Sequence, residues 1–186
     1  MERRSILAAL TILPVAALAR RSAAALPTNL QQVQALQSEW RSLLAPGTQV
    51  PEASDKLDLP NAEWKKRLTE PQYDVLREAG TERAGTSPLD HEKRPGVFVC
   101  AGCGLPLFTS AMKFNSGTGW PSFFTYIPGS LGTKTDHKLI FMTRTEYHCI
   151  RCGGHQGHVF HDGPKPTGLR YCNNGVALKF VPAKKG

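Results

Sequence analysis

Residues 149–174 read CIRCGGHQGHVFHDGPKPTGLRYCNN. The stretch opens on a cysteine pair, Cys149-Ile150-Arg151-Cys152, and runs to a lone Cys172. A second pair, Cys100-Ala101-Gly102-Cys103, lies upstream, and each pair is followed by glycine, Gly104 or Gly153-Gly154. A C-x-x-C turn presents two thiolates on one side of a tight loop, and the following glycine relieves backbone crowding. Two such turns supply the four soft donors a tetrahedral Zn²⁺ prefers, and a closed four-sulfur shell is structural, not catalytic. The 45 residues between the pairs exceed a compact zinc ribbon, so the turns are expected to join two hairpins distant in sequence. Two disulfides in an exported protein, or a redox-active C-x-x-C, are the competing readings; neither pair opens a helix after a strand, as a redox pair would.

Five cysteines cannot all pair within one chain, so at least one has another role. Cys172 stands two residues after Arg170, a cation suited to stabilising the thiolate, which is the reactive form. On a strand, positions 170, 172 and 174 share a face, placing a cation, a thiol and the Asn174 amide side by side. His155, His158, His161 and Asp162 follow the second cysteine pair closely, so a metal at that pair would anchor and aim them. Gly117-Thr118-Gly119-Trp120-Pro121 puts a Trp on a turn, a shape suited to gripping a small apolar group.

Outward from this region the chain is short and ordinary. Its 186 residues fit one domain with an appendage, and 40% hydrophobic with 20% charged residues excludes wholesale disorder. No apolar run reaches the roughly 18 residues of a membrane span, and no stable membrane insertion is expected. The net charge of +8 is spread out, with no Lys/Arg run longer than three, so a solvated basic surface is expected and no nucleic-acid partner. A monomer is expected.

Arg3 and Arg4 precede an apolar stretch from Ile6 to Ala19, with small-residue exits at Ala17-Leu18-Ala19 and Ala23-Ala24-Ala25. This pattern reads residues 1–25 as an export signal. The adjacent arginines resemble a twin-arginine signal, which implies export of the folded protein to a bacterial periplasm; a mitochondrial presequence is the alternative. Residues 26–60 read as an extension or linker, with a Gln-rich piece from Gln31 that could be helical as far as Leu44, and residues 61–186 as the functional domain. Asn61 is expected to cap a helix over Ala62–Leu68. Thr69 and Gln72 form a capping box for the next helix, which Gly80 can end. From Val97 onward, β-rich runs alternate with Gly/Pro turns: Gly96–Cys100, Pro106–Thr109, Ser122–Ile127, Lys138–Tyr147, His158–Phe160 and Val176–Val181. The fold class is mainly β (α+β), with short N-terminal helices.

The motifs VCAGCGLPLF, KFNSGTGWPSF and CIRCGGHQGHVFHDGPKPTGLRYCNN, in this order, resemble the methionine-R-sulfoxide reductases, the B type of peptide methionine sulfoxide reductase. The likeness runs from Trp64 to Pro182. It implies two antiparallel β-sheets preceded by short helices, with Cys100, Cys103, Cys149 and Cys152 as ligands of a structural zinc. It implies Cys172 as nucleophile, with His155, His158, Asp162, Arg170 and Asn174 around it and Trp120 and Phe160 at the substrate. The reaction implied is reduction of methionine-R-sulfoxide in oxidised proteins or peptides through a Cys172 sulfenic acid. His158 or His155 would be the acid, Asp162 would orient a His, Arg170 would lower the Cys172 pKa, and Asn174 would hydrogen-bond near the sulfur.

The chain departs from that family's pattern in places. Thr118 stands where many members carry a resolving Cys, so an external reductant, thioredoxin-like or a small thiol, is expected. Gln156 stands where Leu is usual, Asn173 and Gly175 replace an apolar residue and Ser, and Glu82–Gly85 lacks a Pro-Phe. Two other classes are a zinc-dependent binding module, which would need no Cys172, and a general thiol–disulfide oxidoreductase, which would hold no tight zinc.

Overall fold

The computed structural model describes residues 25–139 and 142–184; the side chains of 137–143 and the export-signal reading of the N-terminal residues lie outside what it describes. Three helices come first: α1 (Leu30–Ser38), α2 (Asn61–Arg67) and α3 (Glu70–Glu78). Nine strands follow: β1 (Gly96–Cys100), β2 (Pro106–Thr109), β3 (Lys113–Phe114), β4 (Ser122–Phe123), β5 (Leu131–Leu139), β6 (Met142–Cys149), β7 (His155–Phe160), β8 (Arg170–Asn173) and β9 (Leu178–Pro182). They form two antiparallel sheets, ordered β2-β1-β9 and β3-β4-β8-β7-β6-β5. No described helix is long and apolar enough to cross a membrane.

Local chemistry explains most element ends. The Thr69–Gln72 capping box is present, with Pro71 in the first turn. Two expected ends shift. Helix α2 starts at Asn61, not after it: the Pro60 carbonyl accepts from Glu63 and Trp64 N–H at 2.9 and 3.2 Å, and Pro60 (φ −59°) is preset for that role. Helix α3 ends through Ala79 in the left-handed region (φ 53°), with Gly80 N–H bonding the Asp74 carbonyl at 3.0 Å. A Cβ at position 80 would meet the Asp74 carboxylate, which would have to shift.

Strand β1 reads GVFVC and is buried throughout, as suits the middle strand of the small sheet. The sheets meet through aromatic rings: Phe123 of β4 stacks on Phe108 of β2 at 4.0 Å and meets Phe98 of β1 edge-on at 5.1 Å. The Lys138–Tyr147 run is not one strand but spans the end of β5 and most of β6, a hairpin. Only Ser122–Phe123 of the Ser122–Ile127 run is strand; beyond it Phe124 N–H and Ile127 N–H bond the carbonyls of Met112 and Leu107. The last run begins with a 3-10 turn, Gly175–Ala177, before β9.

The 26–60 segment lies against the body as a strap. Asn29 caps α1 through Gln32 N–H, Val33 and Leu44 are buried, and Gln37 donates to Thr125 Oγ1 and the Tyr126 carbonyl at 2.8 and 3.2 Å. Further along, Leu57 N–H bonds the Arg151 carbonyl at 2.9 Å and Lys56 Nζ the Ile150 carbonyl at 2.7 Å, both in the second cysteine turn.

Candidate active site and metal centre

The two C-x-x-C turns are built alike. One joins β1 to β2 and the other β6 to β7. In each, the first cysteine closes the turn twice. Cys100 N–H donates to Leu105 O and its carbonyl accepts from Gly104 N–H, both at 2.8 Å. Cys149 N–H donates to Gly154 O at 2.9 Å and its carbonyl accepts from Gly153 N–H at 2.8 Å. Gly104 (φ 78°) and Gly153 (φ 68°) take the left-handed conformation the turns need. Arg151 and Arg77 then cover the carbonyls of Cys103 and Cys152 at 3.0 and 2.8 Å.

These turns bring all four sulfurs within 4.8 Å of one another, with Cys103–Cys149 at 3.5 Å and Cys100–Cys152 at 3.7 Å. Donors about 2.3 Å from a tetrahedral Zn²⁺ stand about 3.8 Å apart, so the spacing fits a metal. It is far beyond an S–S bond of about 2.05 Å, and all five cysteines are free thiols, which sets the disulfide reading aside. Neighbouring S–H groups donate to Cys103 and hold its thiol well below the ordinary range, while Cys100 is pushed up. A cation among four sulfurs would relieve that crowding. Among the described residues this is the one group placed to hold a metal.

Cys172 lies elsewhere, on β8 between β4 and β7, opposite Ser122 on one side and His158 on the other. Gly157 lets β7 approach this closely, because a Cβ there would strike the Cys172 carbonyl. The half-buried thiol opens into a cavity of about 240 Å³. Its walls include Thr118, Trp120, His158, Phe160, Arg170, Asn173 and Asn174; Asn174, expected on the strand face of 170 and 172, lies one residue beyond the end of β8. Trp120 is fixed by its indole N–H donating to the Glu82 carbonyl at 3.1 Å. The preceding Gly119 (φ 82°) has no room for a Cβ against Gly85. The Arg170 guanidinium lies 4.4 Å over the Phe160 ring.

Electrostatics at the thiol pull in opposite directions. Burial pushes the Cys172 pKa up; Arg170 and a hydrogen bond with Thr118 pull it back without cancelling the rise. The expected lowering by Arg170 is therefore present but outweighed. Thr118 heads a hydroxyl chain, bonding Ser116 at 2.8 Å, which bonds buried Ser122 at 2.8 Å.

Three expected roles change. Asp162 orients no histidine: its carboxylate takes Arg170 Nε and Nη2 at 2.8 and 2.9 Å, a fork that aims the guanidinium. Asn174 spends its amide on backbone, donating to the Gln156 carbonyl at 3.1 Å and accepting from Glu82 N–H at 3.0 Å. His155 is buried behind His158, rings 5.4 Å apart, and does not reach the cavity.

The partners of the histidines are residues the sequence reading missed. His158 Nε2 lies 2.7 Å from Asp136 Oδ2, which Arg144 also holds at 2.9 Å. His155 Nδ1 lies 3.1 Å from Glu146 Oε1, with Lys134 on the same oxygen at 3.1 Å. Burial would raise the Glu146 pKa, but His155 and Lys134 outweigh it and hold the carboxylate low. Glu82 is a further omission: its carboxylate binds the N–H groups of Gly175 and Val176, so one residue secures both Trp120 and the turn after Cys172. The alternation of charged residues on β5 and β6 was the available signal for Asp136 and Glu146.

Known proteins share this arrangement in sequence. The SelR domain family matches residues 68–182. A chloroplastic peptide methionine sulfoxide reductase B1 of Arabidopsis thaliana is 46% identical over 160 residues, covering 86% of this chain and 79% of its own. A peptide methionine sulfoxide reductase MsrB of Methanosarcina barkeri is 52% identical over 124 residues, covering 67% and 87%. One from Agrobacterium fabrum is 49% identical over 131 residues, covering 69% and 96%. With the family's domain matched over most of the chain, and a lone thiol set apart from a four-sulfur cluster, this chain belongs to the SelR-domain family of methionine-R-sulfoxide reductases.

Proposed function

We propose that the protein reduces methionine-R-sulfoxide in peptides or proteins to methionine, with Cys172 as nucleophile and an external thiol completing the cycle. The observation carrying this is the half-buried Cys172 thiol in an aromatic-walled cavity beside Arg170, Thr118 and His158. Trp120 and Phe160 offer apolar walls for the substrate's methyl group. The Cys172 sulfur attacks the sulfoxide sulfur while His158, oriented by Asp136, protonates its oxygen; the hydroxyl then passes to Cys172 as the transient S–S bond breaks and methionine leaves. In net terms, thiol and sulfoxide give sulfenic acid and thioether; the oxygen and the oxidising equivalents pass to Cys172.

A hydroxyl cannot form an S–S bond, and the side chains that hydrogen-bond the Cys172 sulfur, Thr118 and Arg170, carry no thiol. The sulfenic acid is therefore attacked by an outside thiol, losing water to give a mixed disulfide. A second thiol then releases Cys172. A thioredoxin-like protein or a small thiol fits this role. Cys100, Cys103, Cys149 and Cys152 are read as holding Zn²⁺, which when bound supplies folding energy and no reaction step. The leader pattern of residues 1–25 is read as directing twin-arginine export to a periplasm. Fractionation of cells expressing the full chain tests this, and retention in the cytoplasm refutes it.

Reaction with separated sulfoxide epimers tests the activity. The R epimer alone is expected to be consumed, and a Cys172→Ser variant that still reduces it overturns the assignment. Mass spectrometry after one turnover without reductant is expected to find one oxygen on Cys172; a stoichiometric intramolecular disulfide would refute the external-thiol step.

A further inference from the structure

Two of the chain's departures from its family's sequence pattern touch each other. Gln156 and Asn173 are fully buried, on the neighbouring strands β7 and β8. Gln156 Nε2 donates to the Cys100 sulfur at 3.4 Å. Gln156 Oε1 accepts from Asn173 Nδ2 at 3.3 Å, and Asn173 Oδ1 accepts from the buried Tyr147 hydroxyl at 2.8 Å. Asn173 directly follows Cys172, and its N–H bonds the Pro121 carbonyl beside Trp120 at 2.9 Å. The Gln156 carbonyl also accepts Asn174 N–H, at 2.9 Å. A continuous polar line thus runs from a sulfur of the cysteine cluster to the backbone on either side of the pocket.

Chemistry argues against simple space-filling. Two apolar side chains would fill the volume without desolvating amides, and each buried amide left unmet costs about 1–3 kcal/mol. Here the amides satisfy each other, and one arm ends on sulfur. A metal-bound thiolate is a stronger acceptor than a thiol, because hydrogen bonds to an ionised partner are roughly twice as strong. Occupancy of the cluster would therefore tighten the Gln156 bond, and Gln156 would hold Asn173.

We propose that Gln156 and Asn173 are a pair of positioning residues that couple metal occupancy at the four-cysteine cluster to the seating of Cys172. The coupling rests on the cluster holding a metal, so zinc per chain is measured first.

The test is a double-mutant cycle of Gln156→Leu and Asn173→Ile on the zinc-loaded full chain, read by zinc affinity in chelator competition and by the alkylation rate of Cys172. Gln156→Leu is expected to weaken zinc by about tenfold to a hundredfold, as loss of a ligand's hydrogen-bond partner does. Asn173→Ile, which touches no sulfur, is expected to weaken zinc as well. Adding it to Gln156→Leu should bring little more, a departure from additivity of at least about twofold. Gln156→Leu lies outside the cavity yet should slow alkylation of Cys172. Asn173→Ile leaves Tyr147 and Gln156 unpaired; if it does not fold, Asn173→Ser takes its place in the cycle. Wild-type zinc affinity in the Asn173 variant, strictly additive effects, or unchanged alkylation in Gln156→Leu overturns the coupling. A wild-type chain that binds no zinc overturns the metal reading instead, while sulfoxide reductase activity is scored separately.

Discussion

Cys100 and Cys172 both sit on strands in the same body, yet their surroundings differ in kind. Cys100 is fully buried and has sulfur neighbours, with Cys152 at 3.7 Å. Cys172 is half-buried and its neighbours are a guanidinium, a hydroxyl and an open cavity. Sulfur crowding favours a shared cation and a closed shell. An isolated thiol near one fixed positive charge stays available for attack. Company, more than burial, decides what a cysteine does here.

The contrast breaks most completely at the proposed nucleophile. Cys172→Ser should lower reduction of the R sulfoxide by at least about ten-thousandfold, as removal of a nucleophile does elsewhere, while zinc content stays at the wild-type value. Epimer-resolved chromatography beside metal analysis checks both. The reverse break is Cys149→Ala. A structural zinc site contributes about 10–16 kcal/mol, comparable with the whole stability of a domain. That variant, or chelated wild type, should lose its cooperative thermal transition.

Smaller changes sharpen the comparison. His158→Ala should reduce kcat by about a hundredfold or more, and Asp136→Asn by less, in kinetics with saturating reductant. Thr118→Cys places a thiol where a hydroxyl bonds Cys172; one intramolecular disulfide per chain should then appear after turnover, by mass spectrometry. The smallest effect concerns pH. Because burial raises the Cys172 pKa, the thiolate fraction of the free enzyme grows only above the ordinary thiol range. Alkylation of Cys172 should therefore rise with pH to a midpoint above that of an ordinary cysteine thiol, and Arg170→Leu should move it higher still.

The four clustered cysteines and the unpaired Cys172 were legible because spacing and parity are properties of the chain itself. The antiparallel sheets were legible from alternation and glycine turns. What stayed hidden depended on register. Nothing in the order of residues says that Asp136 faces His158, because that meeting requires β6 to stand between β5 and β7. Asp162 stands near the histidines in sequence, which suggested a partnership, but the fold turns it toward Arg170. The Gln156 and Asn173 departures stand 17 positions apart in sequence; pairing of β7 with β8 makes them neighbours. The β5 strand was missed because LGTKTDHKL carries polar residues typical of an edge.

The strand carrying Cys172 is bonded on both flanks, to β4 and to β7. Its amides should therefore exchange hydrogen with solvent among the slowest in the molecule, opening only in the rarest fluctuations. The opposite wall is a turn between Gly117 and Gly119, whose left-handed glycines retain wide backbone freedom. The Cys172 sulfur is thus presented from one of the slowest-opening parts of the molecule, opposite an indole pinned to the Glu82 carbonyl.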